Sequence, residues 1–170
     1  MTKGLHIRPM EKTDLEFIHK LRTNPDMMDY WFEEPYTTRE KVEAVYHDRN
    51  QDGSHRLFVL YHYNEKVGFI GILQIDSRHQ HAEFAIMIAP EHQGKGYATN
   101  ATRLAIDYAF KQLPLHKLYL YVDKENKAAE HIYKKIGFQV EGELRDHYFV
   151  QGEYHDVLFM SLLRKEYVDL

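Results

Sequence analysis

The stretch IMIAPEHQGKGYATNATRLAIDYAF, Ile86 to Phe110, constrains this chain more than any other. An apolar run of β type stops at Pro90, passes Gly94 and Gly96, and becomes a helix with Ala101, Leu104, Ala105 and Tyr108 at helical spacing. Bare backbone at a helix start leaves N–H groups pointing at a common spot. With the helix dipole, that spot favours an anion such as a phosphate. Two familiar phosphate loops do not fit. The P-loop needs Gly-Lys-Ser/Thr, whereas Tyr97 follows Gly96. The dinucleotide loop needs a third glycine inside a βαβ unit; Thr99 breaks the glycine pattern, and the runs before it read as an antiparallel meander. Two glycines alone are as often a plain turn. Pro90 ending the strand, and the side-chain donors of Gln93 and Lys95, give the loop its extra weight.

The rest of the chain supplies the setting. At 170 residues it reads as a single domain, 1–170, with 44% hydrophobic and 28% charged residues, ordinary for a soluble globular protein. A formal net charge of -4 argues against a nucleic-acid-binding module. With no cysteine, disulfides, thiolate zinc sites and cysteine nucleophiles are excluded. The N-terminus shows no apolar signal core, and no segment approaches the ~20 apolar residues of a membrane span, so the expectation is a soluble, intracellular protein.

LHIRPM reads as a strand. Thr13 and Asp14 offer N-caps to a helix with Leu15, Ile18 and Leu21 on one face, and Asn24-Pro25 ends it. Thr37 with Glu40 forms a capping box for a second helix through about Arg49. LFVLYHY, VGFIGILQI and AEFAIMIA are three β runs joined by short turns. KLYLYV is a strand, KENKAAEHIYKKI a helix stopped by Gly137, and two strands flank Gln151-Gly152. That order predicts an α+β fold with one central, mostly antiparallel mixed sheet flanked by helices.

With these elements placed, Gln93-Gly-Lys-Gly-Tyr-Ala98 resembles the Gln/Arg-x-x-Gly-x-Gly/Ala pyrophosphate loop of the GCN5-related N-acetyltransferases (GNAT), which bind acetyl-coenzyme A. Independently, Asn126 to Phe138, NKAAEHIYKKIGF, resembles that family's Asn-x-x-(Ala)-x-x-x-Tyr-x-x-x-Gly-Phe helix, and IRPMEKTDLEFI resembles its first strand and helix. The likeness covers essentially the whole chain in order. Within the family it runs to the bacterial spermidine/spermine N-acetyltransferases, through YWFEEPY (Tyr30–Tyr36), PEHQGKG, YVDKEN and Gly142-Glu-Leu144.

The resemblance implies acetyl transfer from acetyl-CoA to a polyamine amine, with Tyr133 as general acid for the departing thiolate. It implies cofactor binding by Ile86, Met87 and Ile88, by the loop Gln93, Gly94, Lys95, Gly96, Tyr97, Ala98 and Thr99, and by Asn126, Lys127, Ala128, Ala129, His131 and Lys135. For the amine it implies Met28, Trp31, Glu33, Glu34, Tyr36, Asp52, Glu83 and Phe84. It further implies a cytoplasmic homo-oligomer, often a dodecamer in that branch, with no metal, nucleic acid or membrane partner. The chain departs from the branch at Gly71 and Gln74, which stand where it carries glutamates, and at Lys41 and His55. Another amine acceptor, or a non-catalytic acyl-CoA sensor, therefore stays open.

The chemistry restricts these roles. An amine attacks as its free base, and deprotonating an ordinary ammonium at pH 7 costs about 4.6 kcal/mol. A carboxylate beside the reacting nitrogen raises that cost, so acidic groups serve better on distal ammonium groups. Asn126, Ala129, Glu130 and Tyr133 share a helical face by spacing, a pattern that fits a core aromatic equally well. The histidines form no convincing metal spacing, and no Gly-x-Ser-x-Gly elbow occurs.

Overall fold

A computed structural model describes residues 2–51 and 53–167. Among them, seven strands form one sheet in the order β1-β2-β3-β4-β5-β7-β6. These are β1 (Leu5–Pro9), β2 (Arg56–His62), β3 (Glu65–Asp76), β4 (His81–Ile88), β5 (Lys117–Asp123), β6 (Gln139–Val150) and β7 (Glu153–Leu163). Helices α1 (Leu15–Arg22), α2 (Pro25–Met28) and α3 (Arg39–Gln51) lie between β1 and β2; α4 (Tyr97–Gln112) and α5 (Lys127–Ile136) flank β5. Every pairing is antiparallel except β4 with β5. The α+β expectation holds.

Alternation along β2 and β3 explains their unbroken apolar runs. Phe58, Leu60, Ile70 and Ile72 face one core with α4 residues Ala101, Ala105 and Ile106. Leu57, Val59, Phe69 and Leu73 face a second core with Ile18 and Leu21 of α1 and Val42 of α3. A strand buried on both faces needs no polar side, so its hydrophobicity is continuous.

The pairing of β4 with β5 spans only His81–Glu83 against Lys117–Tyr119. Beyond it each strand keeps its other neighbour: β4 stays on β3 as far as Ile88, and β5 stays on β7 as far as Asp123. The sheet therefore opens into a wedge between two coherent halves. Gly68 of β3 holds one side of that wedge tight, since a Cβ there would lie 2.3 Å from the Met87 carbonyl oxygen.

Some helix ends differ from the sequence expectation. Helix α3 is capped by Thr38, whose Oγ1 accepts from the Lys41 amide at 3.2 Å, not by Thr37. Asn24 does more than end α1. Its Oδ1 accepts from the Met27 amide and starts α2 with Pro25 at the first position. Asn126 is the N-cap of α5, accepting from the Ala129 amide at 3.1 Å, so Lys124 and Glu125 lie in the preceding turn.

Asp14 precedes α1 but makes no side-chain cap bond. Fully buried, it accepts from the Glu11 amide at 2.8 Å, pairs with Lys66 at 2.8 Å and Arg8 at 3.1 Å, and receives the Tyr61 hydroxyl at 3.3 Å. Burial pushes its pKa up, but the bonds from Lys66 and the Glu11 amide, with the charges of Lys66 and Arg8, outweigh that and hold it below the ordinary value. One carboxylate thus ties β1, β2 and β3 to the start of α1. A depressed folded pKa stabilises above the unfolded value of about 3.9 and is lost as pH falls through the folded one. Asp14→Asn should lose roughly 2 kcal/mol at neutral pH, less than a fully desolvated pair because Arg8 and Lys66 stay partly in water. Urea melts of parent and variant should converge on acidification; a constant gap across pH would remove Asp14 from the linkage.

Candidate active site

The alternation of β4 decides what faces the wedge. The Ala89 amide donates to the Val67 carbonyl at 2.9 Å, so by the two-residue period the backbones of 85, 87 and 89 face β3 while those of 86 and 88 face the gap. Two side chains meet the freed carbonyls. The Trp31 indole Nε1 donates to the Ile86 carbonyl at 3.0 Å, and Gln93 Nε2 donates to that of Ile88 at 3.1 Å. The amides of Ile86 and Ile88 point the same way.

The wedge forms a cavity of about 460 Å³. Ile86, Met87 and Ile88 line one side, and Tyr121, Val122 and Asp123 of β5 the other. Gln93, Gly94 and Gly96, with Tyr97, Ala98 and Thr99 of the first turn of α4, close one end. Asn126, Ala128, Ala129 and Tyr133 come from α5. Gly94 and Gly96 have φ of 74° and 75°, and a Cβ on either would meet no protein atom within 4 Å. Glycine is thus required by backbone conformation, not protein crowding, and the loop's open side is left to a ligand. First-turn amides of α4 lack helical acceptors, so loop and helix end make an anion cradle that fits a pyrophosphate.

A second cavity of about 280 Å³ joins the first, sharing Tyr30, Trp31, Ile86, Tyr121 and Tyr133. Trp31, Glu33, Glu83 and Phe84 line it as expected, together with Arg49, Gln74, Ala85 and Tyr148. Phe32 stacks on Tyr148 at 4.2 Å, which brings the segment after α2 onto β6 across the mouth. Burial raises the Glu83 pKa while Arg49 opposes it. Tyr133 is pushed up to about 12 by burial, so it holds its proton throughout the neutral range. Its ring stands edge-on to Phe84 and to Phe138.

Other expected residues lie elsewhere. Lys95 points to His92, its Nζ 3.5 Å from Nδ1. Lys127 pairs with Glu130, as does Lys134, so Glu130 is taken up by the lysines of its own helix. His131 and Lys135 are exposed and line neither cavity. Met28, 1% exposed, packs inward beneath the helices, while Glu34 and Tyr36 are exposed. Asp52 lies outside the described residues. Met27, Tyr30, His92, Tyr121, Val122, Asp123 and Ile132 also line the larger cavity. Of these, Tyr30, His92, Tyr121 to Asp123 and Ile132 stand inside the quoted family strings, and Met27 alone lies outside them. Among the described residues no cluster could hold a metal ion, and no helix is long and apolar enough to cross a membrane.

A sheet split at one parallel pair, with an anion cradle at the mouth of the split, is the architecture of an acyl-CoA-dependent acetyltransferase. The family model described as acetyltransferase (GNAT) domain matches residues 5–139, and the chain belongs to that family, whose acyl donor is acetyl-CoA. The spermidine N(1)-acetyltransferase of Escherichia coli (strain K12) is 46% identical over 165 residues, covering 97% of this chain and 89% of that one. A crystal structure of spermidine N-acetyltransferase from Vibrio cholerae in complex with CoA and spermine superposes with a TM-score of 0.96 at 41% identity, covering 99% of this chain and all of that one. A dodecameric structure of the Vibrio cholerae enzyme, described as an intermediate state, gives a TM-score of 0.88 at 39% identity, covering 99% and 98% of the two chains.

Gly96→Val places a β-branched residue where φ is 75° and turns side-chain bulk into the cradle. Acetyl-CoA affinity should fall at least about tenfold, with the melting temperature shifted far less than by a core truncation. Calorimetric titration checks this, and an unchanged Kd would sink the cradle assignment.

Proposed function

We propose that this chain transfers acetyl from acetyl-CoA to a primary amine of spermidine or spermine by direct attack in a ternary complex. The observation that carries the reading is the junction: the anion-cradled cavity and the aromatic, acid-bearing cavity meet at Tyr133, Ile86 and Trp31. A donor entering through one and an acceptor through the other come together beside a single protonated phenol.

In this reading Gly94, Gly96 and the amides of Tyr97 to Thr99 hold the pyrophosphate, while Gln93 braces the loop against β4. The free amides of Ile86 and Ile88 pair with the amide groups of the donor's arm. Acetyl-CoA supplies the activated acyl group. Trp31, Phe84, Tyr121 and Tyr148 exclude water from the reacting amine, which favours its neutral form. Glu33 and Glu83 take up ammonium groups of the acceptor. Tyr133 donates its hydroxyl proton to the departing thiolate; burial keeps that proton in place until a thiolate develops. Residues 1–170 act as one acetyltransferase domain. The names of the relatives support the polyamine, and the dodecameric relative supports a homo-oligomer; a cytoplasmic location belongs to the same reading.

The test is release of free CoA from acetyl-CoA against spermine, spermidine, putrescine, a peptide with a free N-terminus and an aminoglycoside. Turnover should be confined to the polyamines, and Tyr133→Phe should lower kcat about 10²-fold with acetyl-CoA affinity nearly intact. Turnover of another amine alone would move the acceptor, and unchanged kcat in the variant would remove Tyr133 from proton transfer. Binding of acetyl-CoA with no turnover of any amine would leave a sensor.

A further inference from the structure

The acceptor cavity is not a simple anionic trap. Each carboxylate that lines it faces a resident guanidinium. Arg22 of α1 pairs with Glu33, and Arg49, from the last turn of α3, lines the same cavity as Glu83. Arg49 also borders the small void between α1, α3 and the sheet, beside Arg22, Met10, Leu57 and Phe69. Arg49 thus borders both spaces. Gln74 lines the wall without adding charge.

The charges answer one another. Burial and the like charge of Arg22 disfavour the charged state of Arg49, and Glu33 and Glu83 sustain it. Tyr119, Tyr121 and Tyr148 surround Glu83 from β5 and β6, each with its pKa raised first by burial and then by that carboxylate. Two carboxylates and two guanidiniums leave the cavity close to neutral. That balance suits the chemistry, because an ammonium set between bare carboxylates is stabilised in its unreactive form, and a nearby guanidinium works the other way.

We propose that Arg49 is a resident cation of the acceptor cavity and its specificity-determining residue, occupying the field of Glu83 that an acceptor ammonium must take over. The proposal rests on the polyamine reading above. It makes acceptor binding an exchange of cations, in which a polycation prevails by bringing several charges at once. Arg49 weakens binding and in return keeps the bound amine closer to its free base.

The test is calorimetric titration of spermidine into the CoA-loaded parent, Arg49→Gln, Arg49→Met and Arg49→Lys at about pH 8, where an ordinary Glu is ionised. Melting curves select the variants that fold, and Arg49→Met keeps an apolar stem against Met10 and Leu57. The neutral variants should bind spermidine about three- to fivefold more tightly, and Arg49→Lys should stay within about twofold of the parent. Tightening in either folded neutral variant, with Lys unchanged, supports the proposal; a merely structural Arg49 would give weaker binding instead. Equal or weaker binding in both neutral variants, equal tightening by Arg49→Lys, or no binding to any chain overturns it. Failure of the polyamine reading shows separately, as parent turnover with a non-polyamine amine only.

Discussion

Three residues of parallel pairing between β4 and β5 decide where this molecule can do chemistry. Parallel strands exchange evenly spaced bonds along their length, and a continued ladder would have used every inward backbone group of β4 on β5. Pairing stops at Glu83 and Tyr119, so the next residues of β4 carry polar backbone with no sheet partner on one side. In a buried strand such groups need substitutes. Trp31 and Gln93 supply two of them, at the Ile86 and Ile88 carbonyls. The cavity is therefore an unfinished ladder, and its remaining amides are directed binding groups by the same rule that builds sheets.

The two cores on either side of the sheet have different duties. The core under α4 fixes the helix whose first turn makes the cradle, with alanines at 101, 105 and 109 allowing α4 to lie close on β1, β3 and β4. The core under α1 and α3 carries the acceptor side. There Asp14 anchors the start of α1, and α1 and α3 bring in Arg22 and Arg49. Donor and acceptor sites thus stand on opposite layers of one sheet and meet through the gap in it.

Local features of this architecture were legible in the chain. The glycine loop, the three-run meander and the Gly137 end of α5 depend on neighbours within a few residues, and pattern suffices for them. Placement of β5 was not, because nothing in KLYLYV says that it pairs with β4 for three residues and then leaves. Arg49 and Tyr148 were missed for a related reason, and Gln74 stood out only as a departure from the branch: each comes from a different element, and only the tertiary fold brings them to one wall. Met28 stands three residues before Trp31, yet the short helix turns it into the core. Thr37 satisfied a capping-box spacing, but Thr38 fits the same turn and makes the bond. Tyr133 was ambiguous on spacing and became a site candidate only through the family resemblance.

Gly68 sits behind all of this. With no side chain at that position, β3 presses its backbone against the Met87 carbonyl and keeps β4 from drifting into the gap. The donor-side wall is consequently rigid by construction, while the acceptor side adds side chains from α3, β6 and the segment after α2 to those of β3 and β4. Such a division separates two kinds of change. Substitutions around the acceptor can retune which amine is taken, and the grip on the donor is left as it was. A scaffold of this kind is open to new acceptors one side chain at a time.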